Sequence, residues 1–264
     1  MPVDMHELAD DLTAETAVLR DMLAALDEAG WHTPTPAAGW TIADQVSHLA
    51  FFDDAAIQSA TDPQGFAAEM ERAVTVGGLT PDTVAERYRS LAGAELLAWF
   101  DASRRRLIKV FAELDPALRL PWFGLPMSAA SALTARIMET WAHGQDVADA
   151  LGQARAVTGR LRHIAHIGVL ALPYSFAANG FEVPREPVRV ELAAPGGGMW
   201  AWGPEHAANL VTGPALDFCL LVTQRRHRDD TAIRADGQVA RQWLTIAQAF
   251  AGQPGRGRPA AQRG

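Results

Sequence analysis

The sequence predicts an all-α N-terminal part followed by a small α+β C-terminal part. Three observations carry this reading. Apolar residues recur near the helical period through most of the first 176 positions, turn-forming residues cut that pattern into helix-length pieces, and beyond residue 187 the pattern becomes the two-residue alternation of a strand. With 264 residues, 48% hydrophobic and 20% charged, the chain can bury a sizeable core and is natural for two domains, which excludes disorder of the whole chain.

The first helix is expected over 4–29, with Leu8, Leu12, Leu19, Met22, Leu23 and Leu26 as its apolar stripe and Gly30 as its stop. Glu15 interrupts the stripe, and is expected at its edge rather than in a polar cavity inside. After a turn-rich loop over 31–40, Thr41 and Asp44 form a capping-box variant that opens a helix running to about residue 60. A shorter helix fits 64–74. Thr80-Pro81-Asp82 then starts a helical segment to about residue 114, with a break near Gly93. Pro116, Pro121, Gly124 and Pro126 make 115–127 a loop, Ser128 caps a helix to Leu151, and Gly152 stops it. A fifth helix is expected over 158–176. The second part reads as a strand through Val188, Val190 and Leu192, a turn over 195–198, and a hairpin partner over 199–202. A helix over 214–224, a strand over 231–235 and a helix over 239–251 follow. The domains are therefore drawn as 1–180 and 181–252, with the boundary near 178–187 and a disordered Gly-, Pro- and Arg-rich tail over 253–264.

The net charge of -8 argues against gripping a phosphate backbone, since the only basic cluster, Arg225-Arg226-His227-Arg228, runs straight into Asp229-Asp230. Nucleic acid is not an expected partner. The single cysteine, Cys219, excludes an intramolecular disulfide and lies in an apolar run that suits core packing. No leader pattern and no membrane-length apolar stretch is visible, so a cytoplasmic location without a membrane partner is expected.

Glu139 and His143 are four apart on one expected helix and so share a face. His48 lies on another helix, in Ser47-His48-Leu49-Ala50-Phe51-Phe52, where a buried imidazole needs a partner for its nitrogens. Two imidazoles and a carboxylate with an open position form the ligand set of catalytic zinc sites and of some iron sites. Glu–His pairs at this spacing also occur on surface helices, and lone histidines also serve in cores, so spacing alone leaves both readings open. Asp146, three beyond His143, suits either an orienting carboxylate for that ring or a solvated helix position. His163 and His166 share a helix face but lack a third ligand, and are read as structural.

Two segments point further. Glu139-Thr140-Trp141-Ala142-His143-Gly144-Gln145-Asp146 and Gly39-Trp40-Thr41-Ile42-Ala43-Asp44-Gln45-Val46-Ser47-His48 together resemble the mycothiol-dependent maleylpyruvate isomerase family, part of the DinB-like metal-binding superfamily. The resemblance covers most of the chain. Its second half, with Thr223-Gln224-Arg225-Arg226 and Ala247-Gln248-Ala249-Phe250, is similar to a small C-terminal domain found in a subset of these proteins, some labelled for wyosine base formation. The resemblance implies a DinB-like four-helix bundle with His48, Glu139 and His143 as metal ligands. It also implies mycothiol or a similar low-molecular-weight thiol as cosubstrate. Zinc is the expected metal, with iron and nickel as alternatives. In the isomerase the thiol adds to a cis double bond, rotation follows, and elimination regenerates the thiol. There an arginine of the C-terminal domain helps bind acidic substrates; Arg225 or Arg226 suits that role, although each taken singly reads first as a solvated helix end.

The expected function is a metal-dependent isomerase, or a transferase that joins the thiol to a small electrophile. Phe52, Trp122 and Trp141 are candidates for the cavity wall, although helical geometry points Trp141 roughly 160° away from both ligands of its helix, as a packing residue. The alternative is a non-enzymatic carrier. Its C-terminal unit would resemble the sterol carrier protein type 2 fold, holding an apolar ligand or lipid while the metal is structural. Oligomeric state is left open, a homodimer included.

Overall fold

A computed structural model describes residues 3–75, 79–255 and 257–261. The expected tail falls partly outside these residues, at 256 and 262–264. The chain divides into two compact units, Met1–Arg155 and Ala156–Gly264. This division differs from the expected one near 178–187, because the helices over 161–178 group with the second unit. None of the described helices is long and apolar enough to cross a membrane.

The first unit is mostly helical. Its long helices are α1 (Met5–Leu23), α3 (Ile42–Thr61), α6 (Gly93–Ala112) and α7 (Ala129–Ala150), with α2 (Glu28–Trp31), α4 (Pro63–Thr75) and α5 (Pro81–Tyr88) between them. Both α1 and α3 pack against α6 and α7, so the four long helices enclose one core. The first helix ends at Leu23 and not at Gly30. Asp27 accepts a hydrogen bond from the Gly30 N–H and opens a separate single turn, the local competition that makes Asp a helix-start residue. Thr41 and Asp44 cap α3 as expected. Every residue from Ile42 to Ala50 is buried, so the start of α3 lies in the middle of its unit. The break falls just before Gly93, which opens α6, and glycine is required there because a Cβ would lie 2.2 Å from the Trp31 ring. Within the expected 115–127 loop, β1 (Arg119–Leu120) and β2 (Met127–Ser128) pair antiparallel, closing residues 121–126 into a short excursion before α7.

The second unit is a smaller sheet domain with helices. Its strands β3 (Val188–Ala193), β4 (Met199–Trp202), β5 (Asn209–Pro214) and β6 (Arg234–Asp236) lie in the order β4-β3-β5-β6, with β3 and β5 parallel. The β3–β4 hairpin is as expected. The alternation does not predict β5, whose last residue, Pro214, is expected instead to open the following helix. The expected fifth helix is two, α8 (Leu161–Leu170) and α9 (Leu172–Ala178), because Pro173 lacks the N–H a continuous helix requires. Helices α10 (Ala215–Val222) and α11 (Gln238–Ile246) pack against the sheet; Asn209 Oδ1 accepts from the Val239 and Ala240 N–H groups at the start of α11. Just before the expected tail, Gly252 pairs with the Tyr174 hydroxyl, and within it the Ala261 N–H donates to Asp230.

Candidate metal centre

His48 is on α3, and Glu139 and His143 are one turn apart on α7. The packing of α3 against α7 brings the three together. Glu139 Oε2 lies 3.1 Å from His143 Nε2 and 3.8 Å from His48 Nε2. One donor atom from each residue lies within 4.8 Å of the others, and no other such group of His, Cys, Asp and Glu occurs among the described residues. Donors bound tetrahedrally at about 2.1 Å stand roughly 3.4 Å apart, a value the two measured separations bracket. Both histidines are more than nine-tenths buried, while a fifth of the Glu139 side chain is exposed. The donor set therefore fits a divalent ion, with the imidazoles buried and the carboxylate partly exposed.

Around the donors the structure adds two residues that sequence reasoning missed. Gln45, one turn before His48 on α3, presents Oε1 to His143 Nδ1, and its own Nε2 donates to Thr35 Oγ1 at 2.9 Å. This leaves Nε2 of His143 facing Glu139, the tautomer a ligand requires. Trp40 stacks 6.0 Å from the His143 ring and 5.4 Å from His48. Its indole N–H is anchored on Asp82 at 2.8 Å. Both residues stand inside the segment that pointed to the family, but nothing in the spacing distinguishes them from capping-loop residues. Phe52 covers His48 from the other side at 4.6 Å, and Trp122 and Phe123 pack on Phe52. Trp141 faces away, against the Arg155 guanidinium, as helical geometry requires. Replacing Gln45 with Ala is expected to weaken divalent-metal affinity about 10- to 100-fold, measured by chelator competition, because the ring orientation is then unsupported. Unchanged affinity would show that Gln45 does not orient His143.

Residues 12–148 match the model of the mycothiol maleylpyruvate isomerase N-terminal domain, and residues 184–236 match a wyosine base formation model. The chain belongs to the mycothiol maleylpyruvate isomerase family. Uncharacterized proteins from two strains of Mycobacterium tuberculosis are 50% identical to it over 248 residues, covering 94% of this chain and 96% of theirs. The crystal structure of a mycothiol-dependent maleylpyruvate isomerase aligns with a TM-score of 0.59 at 17% identity, over 88% of this chain and 93% of the other. A histidine-to-alanine variant of that enzyme gives 0.58. At that identity the likeness is one of fold.

In this member of the mycothiol maleylpyruvate isomerase family, burial and mutual contacts set the protonation of His48 and Glu139. Burial, then the neighbouring His143, lowers the His48 pKa to about 4, with Glu139 acting in the opposite direction. Burial pushes Glu139 up, but hydrogen bonds and charge from His143 and His48 outweigh it and hold the carboxyl well below its ordinary range. Both groups are thus in their ligating forms at neutral pH. Between its unfolded value of 6.5 and about 4, His48 binds a proton in the unfolded chain that it does not bind when folded. Stability of the metal-free protein is then expected to fall by roughly 3 kcal/mol as pH drops through that window. Urea unfolding in chelator at pH 7 and pH 4.5 measures this, and His48→Gln should lose that part of the pH dependence; an identical dependence in the variant would refute the assignment.

The other candidates take different places. Of the two readings open for Asp146, the solvated one does not hold, since it is buried; the His143 nitrogen of the other reading is met by Gln45. Glu15 is inside the unit rather than at its edge: only 2% exposed, it pairs with Arg155, which also donates to the Trp141 carbonyl at 2.8 Å. That partner lies 140 residues away, beyond the reach of periodicity. Arg225 and Arg226 follow α10 in the second unit. Both backbone N–H groups bond the Leu220 carbonyl, and their guanidinium groups donate to the Thr223 and Arg225 carbonyls, so local backbone bonds fix this turn. His166 accepts from the Trp202 indole at 3.2 Å. Cys219 is buried and its thiol pKa is raised by that burial, so it is a core residue and not a nucleophile.

Proposed function

We propose that this protein is a metal-dependent enzyme that uses a low-molecular-weight thiol of the mycothiol type to act on a small electrophilic substrate, as isomerase or as thiol S-transferase. The observation that carries this reading is the convergence of His48, Glu139 and His143, from two helices, in a chain of this family. These three residues would hold the ion, zinc being the metal their chemistry favours. A divalent metal there would bind the thiol as its thiolate at neutral pH, where a free thiol with a pKa near ~8.5 is mostly protonated.

The rest falls to the chain's own side chains. Neutral His48 and ionised Glu139 offer lone pairs without first losing a proton, and Gln45 keeps the His143 ring turned toward them. Trp40 and Phe52 exclude water from the imidazole faces, which strengthens local electrostatics. The partial exposure of Glu139 leaves one side for thiol and substrate to enter. Sulfur addition to an electron-poor cis double bond, rotation about the resulting single bond and elimination would return the thiol unchanged. Retention of the sulfur on the substrate would make the same site a transferase.

The test is incubation of metal-loaded protein with mycothiol and a panel of cis-enediones and other electrophiles. Isomerised product with thiol conserved identifies an isomerase, and consumption of thiol into a conjugate identifies a transferase. The proposal fails if neither occurs and mycothiol leaves the absorption of the cobalt-substituted protein unchanged.

A further inference from the structure

A second buried polar cluster lies in the first unit beside the candidate metal centre. Asp53 on α3 is fully buried, and so, to within a few per cent, are Arg104 on α6 and Arg136 on α7. Asp53 Oδ2 accepts from Arg104 Nε at 2.7 Å, and Oδ1 accepts from Arg136 Nε at 3.0 Å and Arg104 Nη2 at 3.3 Å. Arg104 Nη1 also donates to Thr16 on α1 at 2.6 Å and to Thr140 on α7 at 3.0 Å. Arg136 Nη2 donates to the Leu49 carbonyl at 3.2 Å. The node centred on this carboxylate thus joins all four long helices, α1 through Arg104 and Thr16.

We infer that this node positions the metal ligands: Asp53, Arg104 and Arg136 set the register of α3 against α7, and so the separation of His48 from Glu139 and His143. The inference rests on the metal-site reading above. Arg136 precedes Glu139 by three residues and His143 by seven, so the three share one face of α7. On α3 it grips Asp53 and the carbonyl of Leu49, the residue next to His48. A single side chain therefore links the ligand-bearing stretch of each helix to the other. The apolar contacts of α3 are made by Ile42, Val46, Leu49 and several alanines, non-directional surfaces that resist small sliding weakly. Directional charge-assisted bonds resist it strongly. A catalytic constellation tolerates displacements of only about 0.5 Å. Buried ion pairs add little net stability compared with apolar residues of the same volume, whereas specifying register is their best-attested use. These are positioning residues, and none of them is a ligand.

The experiment compares full-length wild type with Asp53→Asn and Arg136→Lys. Arg136→Lys keeps the charge but cannot serve Asp53 and the Leu49 carbonyl together. Phe111→Ala, which truncates a buried core side chain elsewhere on α6, is the control for general loss of stability. Zinc affinity is read by chelator competition and site geometry by the visible absorption of the cobalt-loaded proteins. Both node variants should lose about 10- to 100-fold in zinc affinity with an altered cobalt spectrum. Phe111→Ala should stay within about twofold, with the wild-type spectrum. Wild-type affinity and spectrum in Arg136→Lys would overturn the inference, even if Asp53→Asn fails to fold. A wild-type protein that binds neither zinc nor cobalt would instead overturn the metal reading itself.

Discussion

Replacing His48 with alanine is expected to strip the protein of divalent metal while leaving its helical unit folded. Four-ligand protein zinc sites bind with about 10–16 kcal/mol, so removing one ligand costs on the order of 3–4 kcal/mol, or two to three decades of affinity. The helices should survive because His48 contributes little to holding them. Its Nδ1 is buried without a hydrogen-bond partner among the described residues, so the ring carries an uncompensated polar group in the metal-free protein. Its removal trades that group for a small cavity. Elemental analysis after dialysis and far-ultraviolet circular dichroism measure the two sides. Stoichiometric metal in the folded variant would sink the ligand assignment.

Replacing Asp53 with alanine should have the largest effect on stability, about 3–5 kcal/mol, because it strands two buried guanidinium groups. Burial already lowers the Arg104 pKa, against the pull of Asp53. Without that carboxylate the charge has no anionic partner in the node. By contrast, Arg20–Asp101 has an arginine that is half exposed, and its loss should cost at most about 1 kcal/mol. Urea unfolding of both variants measures the difference. A destabilisation below about 1 kcal/mol for Asp53→Ala would show that the node relaxes or takes in water. Together the two variants test separate roles proposed for neighbouring clusters: one to hold an ion and the other to hold the helices.

Much of the helical unit is legible in the sequence because its signals are local. Thr41 with Asp44, Pro81 after Thr80, and Ser128 before α7 each mark a helix start through bonds spanning three residues or fewer. Errors arise where a local competitor is read too weakly. Asp27 starts a new turn before the expected stop at Gly30, and Pro173 divides the helix expected over 158–176. Strand β5 escapes because it is identified by its parallel pairing with β3, not by its own pattern.

The candidate site divides in the same way. Glu139 and His143 share a face by helical spacing alone, and the segments around them and His48 resemble the family to which the chain belongs. That His48 meets them depends on α3 packing against α7, and on Arg136 reaching across 87 positions to the Leu49 carbonyl. The roles of Gln45, Trp40, Glu15 and Asp53 are equally beyond sequence reading, since their partners His143, Asp82, Arg155 and Arg104 lie 42 or more positions away. Helix starts, helix faces and ligand types follow from bonds and angles between near neighbours, which any stretch of chain carries within itself. The closing of three donors to within 4.8 Å, and the buried charges beside them, follow from packing of distant segments, where only the assembled core fixes position.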